Sequence, residues 1–265
     1  MTIVERALAG AILAGIIAVA ALRARVLSPS GAAGALVSGT LAAAAGWPWA
    51  GALVAFFASS TLLSRWRSGV KDAATRAVVA KGGRRDAWQV AANGGIFSIA
   101  AGGALLAPGP WWELVALGAL AAATADTWAT EVGTAIGGEP RTLLGGQRVP
   151  RGTSGAVTVA GSVAMGAGAL FLGTVAVAAG FPTGTAIPVV AGGVAGALAD
   201  TLAGGTLQER RWCGRCAAGT ERRVHHCGAG TTHAGGVAGV SNDVVNLTSS
   251  AVGALVALSW WRIFA

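Results

Sequence analysis

The fold is decided by apolar stretches such as residues 111–133, which read WWELVALGALAAATADTWATEVG. A helix needs about 20 mostly apolar residues to cross the hydrocarbon core of a bilayer, and this run satisfies that requirement. Seven other runs share its character: residues 3–22, 31–46, 47–64, 87–107, 154–180, 185–207 and 244–262. The sequence therefore predicts an all-α polytopic membrane protein with about 7–8 transmembrane helices. The pair 31–46 and 47–64, which meets at Trp47-Pro48-Trp49, forms either two short spans or one re-entrant hairpin.

The composition of the chain excludes the main alternatives to a membrane protein. Of its 265 residues 11% are charged and 54% are hydrophobic, whereas soluble domains carry roughly 25% charged residues. Intrinsic disorder is excluded because the chain is too apolar, and collagen because the 42 glycines follow no three-residue period. We therefore expect one integral membrane domain over residues 1–265, whose first apolar run is a retained helix rather than a signal peptide.

The distribution of basic residues predicts the orientation of this domain. With eight segments, four polar connections fall on one side: residues 23–30, 65–86, 134–153 and 208–243. They hold every lysine and arginine of the chain except Arg6 and Arg262. Because an excess of basic residues marks the cytoplasmic side, we expect a cytoplasmic-membrane protein with both termini outside. Such a basic face attracts anionic lipid or phosphorylated substrates, and no feature of it favours nucleic acid.

The carboxylates near or within the apolar runs are few, and all lie in the cytoplasmic halves of their predicted helices. Asp126 and Glu131 lie on the fifth segment, Asp200 near the end of the seventh, Asp243 opens the eighth and Asp86 opens the fourth. Ionisable groups are costly inside a bilayer and usually face a cavity or one another. We therefore predict that these acids meet in one pocket that opens toward the basic connections.

Helical spacing adds carboxamide side chains to this pocket. Asp86, Gln89 and Asn93 follow i, i+3, i+7 and share one helix face. Three more carboxamides neighbour the acids of the last two segments: Gln208, Asn242 and Asn246. Asp126 and Glu131 are separated by about 140° around an ideal helix, so they cannot both face one ligand. We expect Asp126 to face the site, and Glu131 to lie at its rim or to pair with an arginine.

Converging carboxylates beneath a basic face suit a hard divalent cation. Mg²⁺ uses one or two carboxylates and bridges substrate phosphates, while basic side chains neutralise phosphate oxygens. The residues thus favour Mg²⁺-dependent phosphoryl or nucleotidyl transfer, although the chain has no P-loop motif. Two alternatives remain open. The acids could pair with loop arginines and only lock the helices together, or they could relay protons or cations in a transporter or lipid flippase.

Two glycine-containing turns precede apolar runs on the predicted cytoplasmic side, Ser28-Pro29-Ser30-Gly31 and Gly152-Thr153-Ser154-Gly155. We expect each turn to lie at a helix N-terminus, where backbone N–H groups can bind phosphate, with ordinary capping as the alternative. Thr153 and Ser154 are therefore candidate substrate-binding residues.

Two short stretches also resemble each other, Gly118–Thr127 and Gly196–Thr201, which suggests a parallel internal repeat. The small residues suit close helix packing in lipid, within one chain or in a homo-oligomer, and the oligomeric state stays open.

All three cysteines and all three histidines fall in the connection 208–243. Cys213-Gly214-Arg215-Cys216 is followed by His225-His226-Cys227. This C-x₂-C and H-H-C spacing predicts a structural zinc held by the three cysteines with His225 or His226, and the alternative is a set of free thiols. Zinc would help to fold a loop that has little apolar core of its own.

The chain resembles the integral-membrane domain-of-unknown-function family numbered 92. Four stretches carry the resemblance: Ala125–Gly133 (ADTWATEVG), Val149–Gly161 (VPRGTSGAVTVAG), Gly196–Gln208 (GALADTLAGGTLQ) and Ser241–Ser250 (SNDVVNLTSS). The resemblance extends over nearly the whole chain, and the Cys/His loop is similar to that of prokaryotic members. The family includes a eukaryotic transmembrane protein and the plant phytyl-phosphate kinase.

This resemblance implies a kinase that converts an isoprenoid monophosphate to its diphosphate with a nucleoside triphosphate, ATP or CTP. The prenyl tail would lie among the helices and lipids, with its phosphate at the cytoplasmic rim. Asp126, Asp200 and Asp243 would hold Mg²⁺ on the donor phosphates. Arg85, Arg148 or Arg151 would stabilise the charge of the transferred group.

Overall fold

Long helices dominate the computed structural model, which describes residues 1–80 and 83–264. The α-helices are α1 (Ile3–Arg23), α2 (Pro29–Ala45), α3 (Trp47–Arg65), α4 (Ser68–Thr75), α5 (Ala87–Leu106), α6 (Trp111–Ile136), α7 (Val159–Ala179), α8 (Ala186–Thr206) and α9 (Asn242–Phe264). The strands are β1 (Arg141–Thr142), β2 (Ala156–Val157), β3 (Arg210–Cys213), β4 (Ala218–Thr220) and β5 (Thr232–Gly235). Lys81, which belongs to the second basic connection, lies outside the described residues.

Each predicted apolar run corresponds to one long helix, and α4 is an additional short helix. Within residues 1–80 and 83–264, five helices are long and apolar enough to cross a membrane: α1, α5, α7, α8 with the turn before it, and α9. The prediction of a helical chain with membrane-spanning segments is therefore confirmed. The count of seven or eight spans, the outside position of both termini and the parallel repeat stay predictions.

The sixth apolar run differs from its prediction at its N-terminal end. α7 begins at Val159 with Thr158 as its N-cap, rather than at residue 154. Ala156 and Val157 instead form β2, which pairs antiparallel with β1. A short apolar run reads the same in a strand as at a helix end, so the sequence could not separate the two. Thr153 and Ser154 therefore do not lie at a helix N-terminus, and that part of the prediction is wrong.

The centre of the molecule is α6, which packs against α5, α7, α8 and α9. Ala116, Leu117, Leu120 and Ala121 of this helix are completely buried. Three glycines let the α6, α8 and α9 backbones meet: a Cβ on Gly118 or on Gly192 would lie 2.5 Å from the Gly253 carbonyl oxygen. Such small residues permit close backbone approach where lipid provides no hydrophobic drive for association. The register of these three helices is thereby fixed.

The four basic connections meet at one end of the helices. The Arg85 N–H donates to the Val26 carbonyl oxygen at 2.8 Å, which joins the first connection to the second. The Glu221 N–H donates to the Val78 carbonyl at 2.9 Å, which joins the fourth connection to the second. Ser154, which directly follows the third connection, donates to the Glu221 carboxylate at 2.6 Å. The prediction that these segments share one face agrees with these contacts.

Within the fourth connection, three short strands form an antiparallel sheet in the order β4-β3-β5. Cys213 ends β3, and Cys216 lies in the turn between β3 and β4. This sheet follows directly from the end of α8 and leads back to the start of α9. It therefore sits at the end of the helices where the basic connections meet.

Candidate functional site

The acid pair, Asp126 and Asp200, joins α6 to α8. Their carboxyl groups lie within hydrogen-bonding distance of each other. Oδ2 of Asp200 is buried and has no hydrogen-bond partner within the part of the chain that the structure describes. Two carboxyl groups at this separation require a shared proton or a cation between them, because two bare carboxylates repel each other. The acid pair is thus a site for a proton or a cation.

Helix register explains why these two aspartates meet. Gly118 and Gly192 lie at one level against Gly253. Asp126 and Asp200 each follow their glycine by two helical turns, which places both about 12 Å nearer the basic end at 1.5 Å per residue. The sequence contains the same eight-residue spacing from glycine to aspartate in both helices. Only the packing of Gly118 and Gly192 against Gly253 places the two aspartates at the same depth.

The first turns of α9 bring further polar groups to nearly the same depth. By the same rise, Asn246 lies about 10 Å and Asp243 about 15 Å from the level of Gly253, and Asn242 opens the helix. Asp243 is partly buried and Asn242 is exposed. Among the described residues the Cys/His loop is the group found with metal-binding spacing, and a metal shared by Asp126, Asp200 and Asp243 stays a prediction.

Glu131 lies in a cluster of charges beside the acid pair. It forms an ion pair with Lys71, which is 6% exposed, and accepts a hydrogen bond from Ser64 Oγ at 2.6 Å. The Arg85 guanidinium donates to Ser64 Oγ at 3.1 Å and to Thr61 Oγ1 at 3.3 Å. Burial lowers the pKa of Arg85, and the charge of Glu131 opposes that shift. The ion-pair partner of Glu131 is therefore a lysine and not the arginine that was one of the expectations.

Sequence reasoning missed the role of Lys71. The side chain crosses from α4 to α6, and its ammonium also donates to the carbonyl oxygens of Leu63 and Ser64 at 2.7 and 2.9 Å. These carbonyls belong to the last turn of α3, where helical acceptors lack partners. A lysine within a basic connection carries no local signal of such burial.

The polar stripe at the start of α5 has a structural and a lining role. Asp86 is the N-cap, and its carboxylate accepts from the Gln89 N–H at 2.9 Å, while the Gln89 side chain accepts from the Asp86 N–H at 3.2 Å. This reciprocal pair is a capping box. Asn93 donates to the Gln89 carbonyl at 2.9 Å. Asp86 therefore orders the helix, while Gln89 and Asn93 line a neighbouring cavity.

This cavity, of about 110 Å³, lies among α1, α2, α3 and α5. Its polar lining includes Arg85, Gln89, Asn93 and Thr127, and Thr127 is the neighbour of Asp126 in the chain. The rest of its wall is largely apolar: Ala14, Ile17, Leu27, Ala35, Leu53, Val54, Phe56, Phe57 and Val90. A mostly apolar cavity with one arginine suits an amphiphile with an anionic head.

The turn that contains Thr153 and Ser154 contacts the Cys/His loop. Thr153 Oγ1 donates to its own turn, at the Pro150 carbonyl, at 2.8 Å. Ser154 donates to Glu221, and Gln208, which is buried, also hydrogen-bonds to that carboxylate. Burial raises the pKa of Glu221, and these hydrogen bonds oppose the rise. The structure thus uses Ser154 and Gln208 to join two connections.

The two predicted arginines of the third connection lie at the surface of the basic end. Arg148 is 68% exposed and pairs with Glu139 at 2.9 Å. The Arg151 guanidinium packs on Gly137, where an added Cβ would lie 2.3 Å from Nη2. Of the three predicted arginines, only Arg85 lines the cavity.

The Cys/His loop brings four predicted zinc ligands together. Cys213, Cys216, Cys227 and His225 place one potential ligand atom each within 4.8 Å of all the others. His225 is buried, whereas its neighbour His226 is exposed and outside this group. A hydrogen bond from His225 lowers the pKa of Cys227 to about 6. The sequence left both histidines open, and the structure selects His225.

Comparison with known proteins gives the family. The family model described as integral membrane protein DUF92 matches residues 12–254. An uncharacterized membrane protein of Synechocystis is 34% identical over 154 residues, which cover 56% of this chain and 58% of that relative. The match therefore spans less than two thirds of the relative's length. No solved structure matches the chain. The resemblance in the sequence is confirmed, and the chain belongs to the DUF92 family of integral membrane proteins.

Proposed function

We propose that this protein is a membrane-embedded kinase that transfers a phosphoryl group from a nucleoside triphosphate to an isoprenoid monophosphate. The observation that carries the proposal is the acid pair, Asp126 and Asp200, near the end where the basic connections meet. The excess of basic residues supports a cytoplasmic position for this end, where nucleoside triphosphates are available. The site would therefore face the cytoplasm in the cytoplasmic membrane.

The donor set suits Mg²⁺. The acid pair offers two carboxyl groups, and the buried Oδ2 of Asp200 has no partner among the described residues. Mg²⁺ commonly takes one or two carboxylates and completes its shell with water and phosphate oxygens, so a third aspartate at contact distance is not required. Bound there, it would neutralise charge on the donor phosphates. Asp243 and Asn246 lie at a depth that suits contacts through water.

The cavity beside α5 suits the acceptor. An isoprenoid chain would occupy its apolar part, between Ile17, Phe56 and Phe57, and extend toward the lipid. The monophosphate would lie against Arg85, with Gln89 and Asn93 as hydrogen-bond donors. Thr127 lines this cavity and directly follows Asp126 in the chain, so an acceptor phosphate bound there would lie near the acid pair.

The transfer requires positioning and charge neutralisation more than acid–base chemistry. An oxygen of the acceptor phosphate attacks the γ-phosphorus of the donor and forms a new P–O bond. The bond from that phosphorus to the β–γ bridging oxygen breaks, and the nucleoside diphosphate leaves. The attacking oxygen is already ionised at neutral pH, so no general base is needed. Arg85 stabilises negative charge on the transferred group, and Arg148 and Arg151 supply positive charge at the rim.

The direct test is incubation of the purified protein with prenyl monophosphates, Mg²⁺ and either ATP or CTP, with detection of the diphosphate. Asp126→Asn and Asp200→Asn should lower turnover by at least about 100-fold, because each removes charge that holds the donor. Asp72→Asn, an exposed aspartate of α4, is the matched control and should retain activity. Full turnover in both acid-pair variants would disprove the assigned roles, and no diphosphate from any pairing would disprove the kinase.

A proton-coupled transporter or lipid flippase is the second candidate, because the acid pair could share a proton instead of a cation. The two functions differ in what the protein binds and moves. Stabilisation by a nucleotide that depends on Mg²⁺ favours the kinase. Proton flux in liposomes that disappears in Asp200→Asn, without any nucleotide effect, favours the carrier.

A further inference from the structure

We propose that the Cys/His loop binds one Zn²⁺ through Cys213, Cys216, Cys227 and His225, and that this zinc fastens three of the basic connections together. The four residues form the zinc clasp. This site is separate from the acid pair, and the proposal does not depend on the kinase reaction.

The spacing of the potential ligand atoms matches a tetrahedral zinc. Zn–S bonds are about 2.3 Å, so two sulfurs at the corners of a tetrahedron around zinc lie about 3.8 Å apart. The Cys213 and Cys227 sulfurs are 3.7 Å apart. The corresponding sulfur–nitrogen separation is about 3.5 Å for a Zn–N bond near 2.0 Å. His225 Nδ1 lies 3.4 Å from the Cys227 sulfur.

The environment of His225 favours a ligand over a core histidine. The residue is 2% exposed, and among the described residues its Nε2 has no hydrogen-bond partner. Buried polar groups are normally paired, and the polar contact that the structure gives this imidazole is the Cys227 sulfur, at Nδ1. The ring also packs on that of His226, with centroids 4.0 Å apart, so the sulfur is the partner that a metal would join to it. Arg215 donates to the Cys227 carbonyl oxygen at 3.4 Å and brings positive charge to a site where three thiolates would leave a net negative charge.

The segment that carries the clasp has short strand pairings and little apolar core to stabilise it. Each strand pairing in its sheet has three residue pairs, and the apolar side chains of Trp212, Val224 and Val237 are exposed. Soft thiolate and imidazole ligands select zinc over Mg²⁺, and structural zinc contributes directly to folding where a core is missing. The metal would therefore hold the shape of this sheet.

The sheet in turn holds the neighbouring connections. The Arg222 guanidinium donates to the Val79 carbonyl at 2.8 Å, and Glu221 receives the hydrogen bond of Ser154. The segment that ends near Val79 also carries Lys71. Loss of zinc should therefore loosen the contacts of residues 76–80 and of the Ser154 turn, and leave the helix core intact.

The first experiment measures zinc, iron and magnesium in the purified full-length protein. We expect about one zinc per chain, retained through dialysis against a weak chelator. His225→Ala and Cys216→Ser should lose it, and His226→Ala should keep it. Cys216 is exposed, so its replacement by serine removes a ligand without a cavity in the core. Iron in place of zinc, a Cys213–Cys227 disulfide, or full zinc in the Cys216→Ser and His225→Ala variants would overturn the proposal.

The second experiment measures amide hydrogen exchange before and after zinc removal from the wild-type protein. Exchange should increase in residues 208–241 and 76–80, remain unchanged in α6, and return to its starting value when Zn²⁺ is added back. The His226→Ala variant should behave as wild type. An unchanged pattern at 76–80 after complete zinc removal would refute the fastening role. None of these measurements uses kinase activity, so a failed kinase assay leaves them interpretable.

Discussion

The acid pair and the zinc clasp are both groups of ligand-type side chains, but they are assembled in different ways. The clasp comes from one loop, in which C-x₂-C and H-H-C lie close in the chain. The acid pair comes from α6 and α8, which meet only because their glycines pack on α9. A local site can thus be recognised by its spacing, whereas a distributed site depends on the register of the whole helix bundle.

The two regions also differ in the ligand atoms that they offer to a metal ion. The acid pair has buried oxygens beneath a basic face, which suits a hard cation with phosphate ligands. The clasp offers sulfur and imidazole, which suit zinc. If this contrast is correct, variants in one region should leave the property of the other unchanged.

Arg85→Ala should give the largest difference between the properties of the two regions. Arg85 lines the cavity beside the acid pair, so its loss should lower phosphoryl transfer by on the order of 100-fold, while zinc content remains that of wild type. Steady-state kinetics with a prenyl monophosphate and a metal assay on the same preparation provide both readouts.

The matched control for that variant is Arg141→Ala, which removes an exposed arginine at the same end of the molecule. Activity should stay within a few-fold of wild type, because a surface charge of this kind contributes little to a specific site. Equal losses in both variants would show that the basic face acts only through its overall charge.

Much of this fold follows from the sequence because lipid imposes a simple length rule on apolar helices. Each long helix matches an apolar run, and the meeting of the basic connections follows from the charge asymmetry. The start of α7 was mispredicted because residues 156–157 are apolar in a strand that pairs with β1, a contact with no local signature.

The candidate site was only partly predictable for a related reason. The sequence supplied the residue types of the acid pair and of the clasp. It could not choose His225 over His226, because two adjacent residues differ only in burial, and it could not pair Lys71 with Glu131 across two helices. Side-chain partners that are distant in the chain depend on packing that a single sequence does not display.

A smaller effect, confined to stability, should follow from Lys71→Met. Methionine keeps much of the side-chain volume but removes the charge, which leaves Glu131 and two α3 carbonyls without their partner. Removing one member of a buried ion pair costs about 3–5 kcal/mol, and we expect the lower end because Glu131 is partly exposed. Denaturant unfolding in detergent measures the change.

Two further variants test whether the loss of stability comes from the ion pair between Lys71 and Glu131. Arg76→Met alters an exposed basic residue next to α4 and should change stability by less than about 0.5 kcal/mol. The double variant Lys71→Met with Glu131→Gln should recover part of the loss, because no unpaired charge remains. A double variant that is no more stable than Lys71→Met would argue against coupling between the two side chains.

The smallest expected effect concerns Glu221 of the Cys/His loop, which accepts the hydrogen bond of Ser154. Burial raises the pKa of this carboxyl from its ordinary value of 4.5, so the folded state binds its proton more tightly than the unfolded state does. Between pH 4.5 and the raised pKa the folded state holds more protons, and this group's contribution to the free energy of unfolding therefore falls as the pH rises. Glu221→Gln has no titrating carboxyl and should remove that part of the pH dependence.

Glutamine at this position still offers an oxygen to Ser154, so the hydrogen bond between the Ser154 turn and the fourth connection should be retained in the variant. Thermal unfolding of the wild-type and Glu221→Gln proteins is measured from pH 4 to 8. Zinc content measured in the same samples separates the effect of the carboxyl from that of zinc loss. A Glu221→Gln protein whose midpoint follows the same pH curve as wild type would show that the carboxyl titrates normally. In that case burial would not control its proton, and neutral hydrogen bonds would join the Ser154 turn to the Cys/His loop.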